Sequence, residues 1–243
     1  MKLGVMAAGL GGMGWEKALD YARQVGLEAI EIPVGAYPGK PFFDPEEVLK
    51  DAGMQRRIKE DCRKRGLEII GLAVHGNPVS PDPDLKAQHL KEHDTAVRLA
   101  PKLGTDVVIT FSGCPGGGPA DKMPNWVTCV WPPEYERILT HQWDEVLIPF
   151  WTEKNGEAAN EGVRIAFEAH PGFCVYNPET LLRLRKACGP QLGANLDPSH
   201  FFWQGIDPIE AARAFGDEGC IFHVHGKDTG IDPLNTRLNG TLD

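Results

Sequence analysis

Glu168, Asp197 and His225 each close a short apolar run: R-I-A-F-E, L-G-A-N-L-D and I-F-H-V-H. One imidazole with carboxylates is a donor set for a divalent cation, and Mn, Mg, Co or Zn would suit it. Such an ion acts as a Lewis acid that holds adjacent oxygens of a substrate. Taken singly, each residue has a plainer role. Glu168 can be an ion-pair partner, Asp197 a turn or helix cap, and His225 a buried histidine with both nitrogens bonded. Their common position at the ends of apolar runs favours the metal reading for the three together.

Further side chains cluster around these three in sequence. His200 follows Asp197 by three residues, past the end of the run, where it can face a substrate; Glu168 and His200 are the candidate catalytic pair. His223 lies two residues before His225 and shares its face of a strand, deeper down, as a layer-filling or hydrogen-bonded histidine or a substrate contact. His170 lies two residues after Glu168 and shares its face in the same way. His75, in V-H-G-N-P, can reach the same cavity or bond to backbone. Lys227 can neutralise an anionic intermediate or pair with Asp228. Trp126, with Trp131 and Trp203, offers an apolar wall for a sugar ring, or packing anchors.

Elements that deliver such residues to one place are legible in the pattern of the chain. Apolar runs bounded by Gly or Pro alternate with segments of helical period, the signature of β/α units around a parallel sheet. Strands are expected at 3–8, 29–34, 68–75, 106–112, 164–169, 192–196 and 221–225. Helices are expected at 15–25, 45–65 with a break near Gly53, 85–103, 134–157, 178–187 and 208–215. The stretch 113–133, rich in Gly and Pro, is a long connection of the kind that serves as a lid or is disordered. After Asp228 the chain reads as turns. In a parallel barrel the C-terminal strand ends converge on one rim, which is where Glu168, Asp197 and His225 would meet. The expectation is a single domain over 1–243, an α/β barrel of the (β/α)8 kind with about seven strands visible, C-terminally incomplete.

A formal net charge of -9, with no long basic cluster, argues against a nucleic-acid partner. No run approaches the roughly 20 apolar residues of a membrane span. Six scattered cysteines without a C-x-x-C pair read as reduced thiols in a cytoplasmic protein. One competing motif is G-L-G-G-M-G at 9–14, which fits G-x-G-x-x-G, with Glu31 closing the second strand as the ribose carboxylate of a dinucleotide site.

The segments V-H-G-N-P (74–78), T-F-S-G-C-P-G (110–116), P-N-W-V-T-C (124–129), E-A-H-P-G-F (168–173), Y-N-P-E-T-L-L-R-L-R (176–185), D-P-S-H-F-F-W-Q-G-I-D-P (197–208) and H-V-H-G-K-D-T (223–229) resemble the sugar phosphate isomerase/epimerase family with the xylose isomerase-like TIM barrel. The resemblance spans essentially the whole chain. It implies one divalent metal held by four side chains, three of them Glu168, Asp197 and His225, with His200 as the substrate-contacting histidine. It also implies a sugar or polyol substrate and proton transfer beside a carbonyl through a metal-stabilised enediolate, by a glutamate on strand five and another on strand eight. No glutamate of this sequence matches the second. The expected partner is a small-molecule sugar, with homo-oligomerisation possible. Three other readings stay open: a metal-dependent abasic-site endonuclease-like protein, a non-catalytic barrel acting by assembly or sugar binding, and an NAD-dependent oxidoreductase.

Overall fold

The computed structural model describes residues 1–240. Seven strands form one parallel sheet in the order β1 to β7: Gly4–Met6, Ala29–Pro33, Glu68–Ala73, Val107–Thr110, Arg164–Glu168, Leu192–Leu196 and Ile221–Val224. Each pairs with its sequence neighbours, as right-handed β/α crossovers require. The described sheet curls into an incomplete barrel in which β1 and β7 do not pair with each other.

Among the described residues ten α-helices accompany the strands: α1 Trp15–Gln24, α2 Pro45–Lys50, α3 Ala52–Lys64, α4 Pro83–Leu103, α5 Glu134–Thr140, α6 Ile148–Glu161, α7 Pro178–Cys188, α8 Ser199–Phe202, α9 Pro208–Asp217 and α10 Pro233–Asn239. Five of them begin on one local signal, an Asp or Asn followed by Pro. Asp44, Asp82, Asn177, Asp207 and Asp232 accept hydrogen bonds from free backbone N–H groups of the first turn. The proline behind each is already set at the helical φ and lacks the N–H that would go unpaired.

The core has two layers. Outside the sheet, the helices bury a continuous apolar cluster that includes Leu19, Leu99, Trp151, Phe167 and Phe215. Inside the barrel, Val107, Ile109 and Ala166 form a small separate cluster with Phe222 against it. Gly193 makes room there, since a Cβ on it would lie 2.3 Å from the Phe222 ring. Ala166 and Glu168 share one face of β5, so the layer above this apolar plug is polar.

Three expectations need correction. The 134–157 helix is not one regular element: a π-helical stretch, His141–Leu147, joins α5 to α6, and α6 continues through Gly156 to Glu161. The tail after Asp228 is not all turns, because Asp232 and Pro233 start α10. That helix is seven residues long and has only Leu234 and Leu238 at helical spacing, both exposed, which is too short a run to show a period. The short helix α8, which carries His200, is an element that the expected helices do not include, and it follows the turn that Asp197 caps.

Candidate metal and proton-transfer site

Glu168 is the hub of the rim. It ends β5 with 4% of its surface exposed, and three imidazoles converge on its carboxylate. His200 Nε2 lies 2.9 Å from Oε1, while His225 Nδ1 at 2.9 Å and His75 Nε2 at 3.2 Å approach Oε2. Asn195 Nδ2 also donates to Oε2, at 3.0 Å. Burial alone would raise this carboxyl, but the bonds from His200, His225 and His75 reverse the effect and hold it far below the usual carboxylate range.

Asp197 stands beside it, 1% exposed, just past β6. Its Oδ1 accepts from the Ser199 N–H at 3.0 Å and the Ser199 hydroxyl at 2.6 Å, which fixes the turn into α8. Its Oδ2 is turned the other way, 3.7 Å from both His200 Nε2 and His225 Nδ1, with no aligned hydrogen bond. Burial opposes ionisation of Asp197, and His225, Lys227 and Ser199 outweigh it to lower its pKa. The Lys227 ammonium packs against Asp197 Oδ2 and lies 3.4 Å from Glu168 Oε1. Lys227 therefore pairs with the two strand-end carboxylates rather than with Asp228.

This geometry fits a divalent cation. Ligating atoms of Glu168, Asp197 and His200 lie within 4.8 Å of one another, and His225 Nδ1 faces the same two carboxylates. Two buried carboxylates need positive charge beside them, and the Lys227 ammonium, its side chain 48% exposed, supplies it here. Mixed O and N donors suit Mn, Co or Zn better than the harder Mg.

A polar tier lies beneath. His223 Nε2 and His225 Nε2 approach Glu31 Oε2 at 2.9 and 2.8 Å, so His223 is a hydrogen-bonded histidine of the barrel interior. Glu31 is 1% exposed and both of its neighbours here are histidines, which removes it from the surface a dinucleotide ribose would need. Gly9–Gly14 likewise forms most of a 3-10 helix, Ala7–Met13, followed by the left-handed Gly14 that opens α1.

A cavity of about 1230 Å³ runs along the barrel interior, from Lys2 and Arg164 at the lower rim, past Phe222, to Glu168, His225 and Lys227 at the upper. Phe111 walls the upper end, with its ring 4.8 Å from that of His75, 5.1 Å from His170 and 4.2 Å from Phe173. Trp126 stands apart from it, edge-on to Tyr176 at 5.5 Å.

The structure thus brings together Glu168, Asp197, His200, His225, His75 and Lys227, places His223 one tier lower, and leaves Trp126 aside. Sequence reasoning missed Asn195 altogether and gave Glu31 a different task. A signal existed for both. A carboxylate or amide inside an otherwise apolar strand must find partners. Strand register also shifts at Ile30/Glu31 and at Ala194/Asn195, and such bulges re-aim side chains next to sites.

The sequence matches the xylose isomerase-like TIM barrel family over residues 19–238. It is 40% identical to the uncharacterized protein YfiH of Bacillus subtilis over 247 residues, covering 100% of this chain and 78% of YfiH. Among solved structures, the probable 3-DHS dehydratase AsbF of Bacillus anthracis superposes with TM-score 0.68 at 18% identity, covering 97% of this chain and 77% of AsbF. The IolI protein with a bound zinc atom gives TM-score 0.66 at 21% identity, over 96% of this chain and 75% of IolI. D-psicose 3-epimerase of Clostridium cellulolyticum H10 gives 0.61 at 16% identity, over 93% of this chain and 72% of the epimerase. The solved structures share the barrel across chemistries that include epimerisation and dehydration, and the match along the sequence decides membership: the chain belongs to the xylose isomerase-like TIM barrel family.

Proposed function

We propose that the protein is a divalent-metal-dependent isomerase or epimerase of a sugar or polyol. The observation that carries this reading is the convergence of His200, His225, His75 and Lys227 on the buried carboxylates of Glu168 and Asp197. It is supported by structural likeness to a D-psicose 3-epimerase and to a zinc-binding protein. Glu168, Asp197 and His225 would hold the ion, with His200 beside them. When bound, the ion polarises a substrate carbonyl as a Lewis acid.

The protein's own groups do the rest. Glu168 takes the proton from the carbon beside the carbonyl and returns it to the adjacent carbonyl carbon, while a hydroxyl proton passes between the two neighbouring substrate oxygens, so that the isomerisation balances. His200, at 2.9 Å from the same carboxylate, orients it and hydrogen-bonds a substrate oxygen. His75 and Lys227 contact the anionic side of the substrate, and Phe111 excludes water from the carbon that loses its proton. The cavity of about 1230 Å³ has room for a small sugar beside the carboxylates at its upper end, where Lys227 lies against them.

The test is a panel of ketoses and keto-polyols incubated in D2O with Mn, Co or Zn. Deuterium should enter the carbon next to the carbonyl for at least one member, and Glu168→Gln should lower that rate by about 10²–10⁴-fold. No exchange across the panel, or equal exchange with Glu168→Gln, contradicts the reading.

A further inference from the structure

Glu31, buried in the polar tier beneath the rim, takes no part in the chemistry above. Its Oε2 lies 2.8 Å from His225 Nε2 and 2.9 Å from His223 Nε2, and its Oε1 is buried without a hydrogen-bond partner. His225 thus has two unlike edges. Its Nδ1 faces Glu168 Oε2 at 2.9 Å and Asp197 Oδ2 at 3.7 Å, while its Nε2 faces Glu31. An imidazole that binds a cation through one nitrogen keeps its proton on the other, and the acceptor placed there chooses the tautomer.

We propose that Glu31 is a positioning residue: it accepts the Nε2–H of His225, fixes the ring, and leaves the Nδ1 lone pair for a divalent ion shared with Glu168 and Asp197. This rests on the metal-dependent reading above. His223 serves the arrangement from the far side, donating to the same Glu31 oxygen and holding the carboxylate in place. The register shift at Ile30/Glu31 falls where β2 must aim this side chain across the barrel toward β7.

A competing arrangement uses the same residues. Ligating atoms of Glu31, His223 and His225 also lie within 4.8 Å of one another and could themselves enclose an ion. That site has one carboxylate where the upper one has two, and it would require the opposite tautomer, with the proton on Nδ1. The two arrangements therefore differ in an observable that owes nothing to turnover.

The experiment is long-range 1H–15N correlation NMR on histidine-labelled, zinc-loaded protein, with His225 assigned by the signals that His225→Gln loses. The expected spectrum shows His225 protonated at Nε2 and bound to zinc through Nδ1. Zinc affinity, from chelator competition, should fall about 10–100-fold in Glu31→Gln while its circular dichroism stays that of the parent. A proton on Nδ1 overturns the proposal, and so does a Glu31→Gln affinity within about twofold of the parent. If the parent takes up no zinc, the metal-dependent reading falls with it; zinc uptake with an unaffected Glu31→Gln sinks the positioning role alone. Should Glu31→Gln fail to fold, the tautomer in the parent protein still decides.

Discussion

At the residue scale, each buried charge of the rim is held by named partners. Asp197 contributes one oxygen to a turn and leaves the other for a cation, so Asp197→Asn should keep the Ser199 cap but lose metal. The expected loss of affinity exceeds the roughly 10–100-fold of an outer-shell change, measured by the same chelator competition. Affinity equal to the parent would remove Asp197 from the ligand set. Glu31 gives a pH prediction. Burial opposes its ionisation, yet the bonds from His223 and His225 bring its pKa down to about 2 from an ordinary 4.5. A carboxylate depressed in the folded state contributes stability that is complete above pH 4.5 and lost as pH falls toward 2. In metal-free protein, the melting temperature of the parent should therefore fall more steeply over that window than that of Glu31→Gln. Parallel profiles would contradict it. Glu168, Asp197 and His225 were legible in the sequence because each closes an apolar run just before a Pro, a Gly or a new element. Glu31 and Asn195 were not, because their partners lie on strands far away in sequence and a local pattern cannot show a bulge.

At the element scale, the long connection after β4 is held rather than free. Gln142, 1% exposed in the π-helical stretch, donates to the carbonyls of Pro115 at 3.2 Å, Gly116 at 3.1 Å and Asn125 at 2.6 Å. One amide thus ties together both halves of the 113–133 segment, and the π-helical geometry places it there. Gln142→Ala should remove this donor from the Gly116 and Asn125 carbonyls, cost about 1–3 kcal/mol and speed proteolysis within 113–133. Limited proteolysis with mass spectrometry checks this; an unchanged cleavage pattern would contradict it. The expectation of a lid or a disordered loop came from Gly and Pro content, which reports missing periodicity and says nothing of a distant side chain that satisfies the backbone. Helix starts fared better, since an Asp or Asn before Pro states its physics locally. That signal was also present at Asp232, where a single pair of leucines, Leu234 and Leu238, was too short a pattern to reveal α10.

At the scale of the whole molecule, the alternation of strands and helices was readable in the apolar runs, and the parallel order followed from it. The two-layer core was not readable, because inner and outer faces of a buried strand are both apolar. Burial makes a simple global prediction for the thiols. Cys129 is exposed, while Cys62, Cys114, Cys174, Cys188 and Cys220 are buried. Burial pushes the Cys62 thiol up to about 12. Native protein at neutral pH should take up one equivalent of iodoacetamide quickly, at Cys129, and the others only on unfolding. Fast labelling of two or more sites would contradict the packing described.

The central claim is that the rim formed by β5, β6 and β7 is a metal centre built on Glu168. Its most direct test is the metal content, by mass spectrometry of the elements, of protein purified and dialysed without chelator, beside Glu168→Gln and Asp197→Asn. About one divalent ion per chain is expected in the parent, strongly reduced in both variants. A parent without stoichiometric metal, or variants that retain it in full, would contradict the account.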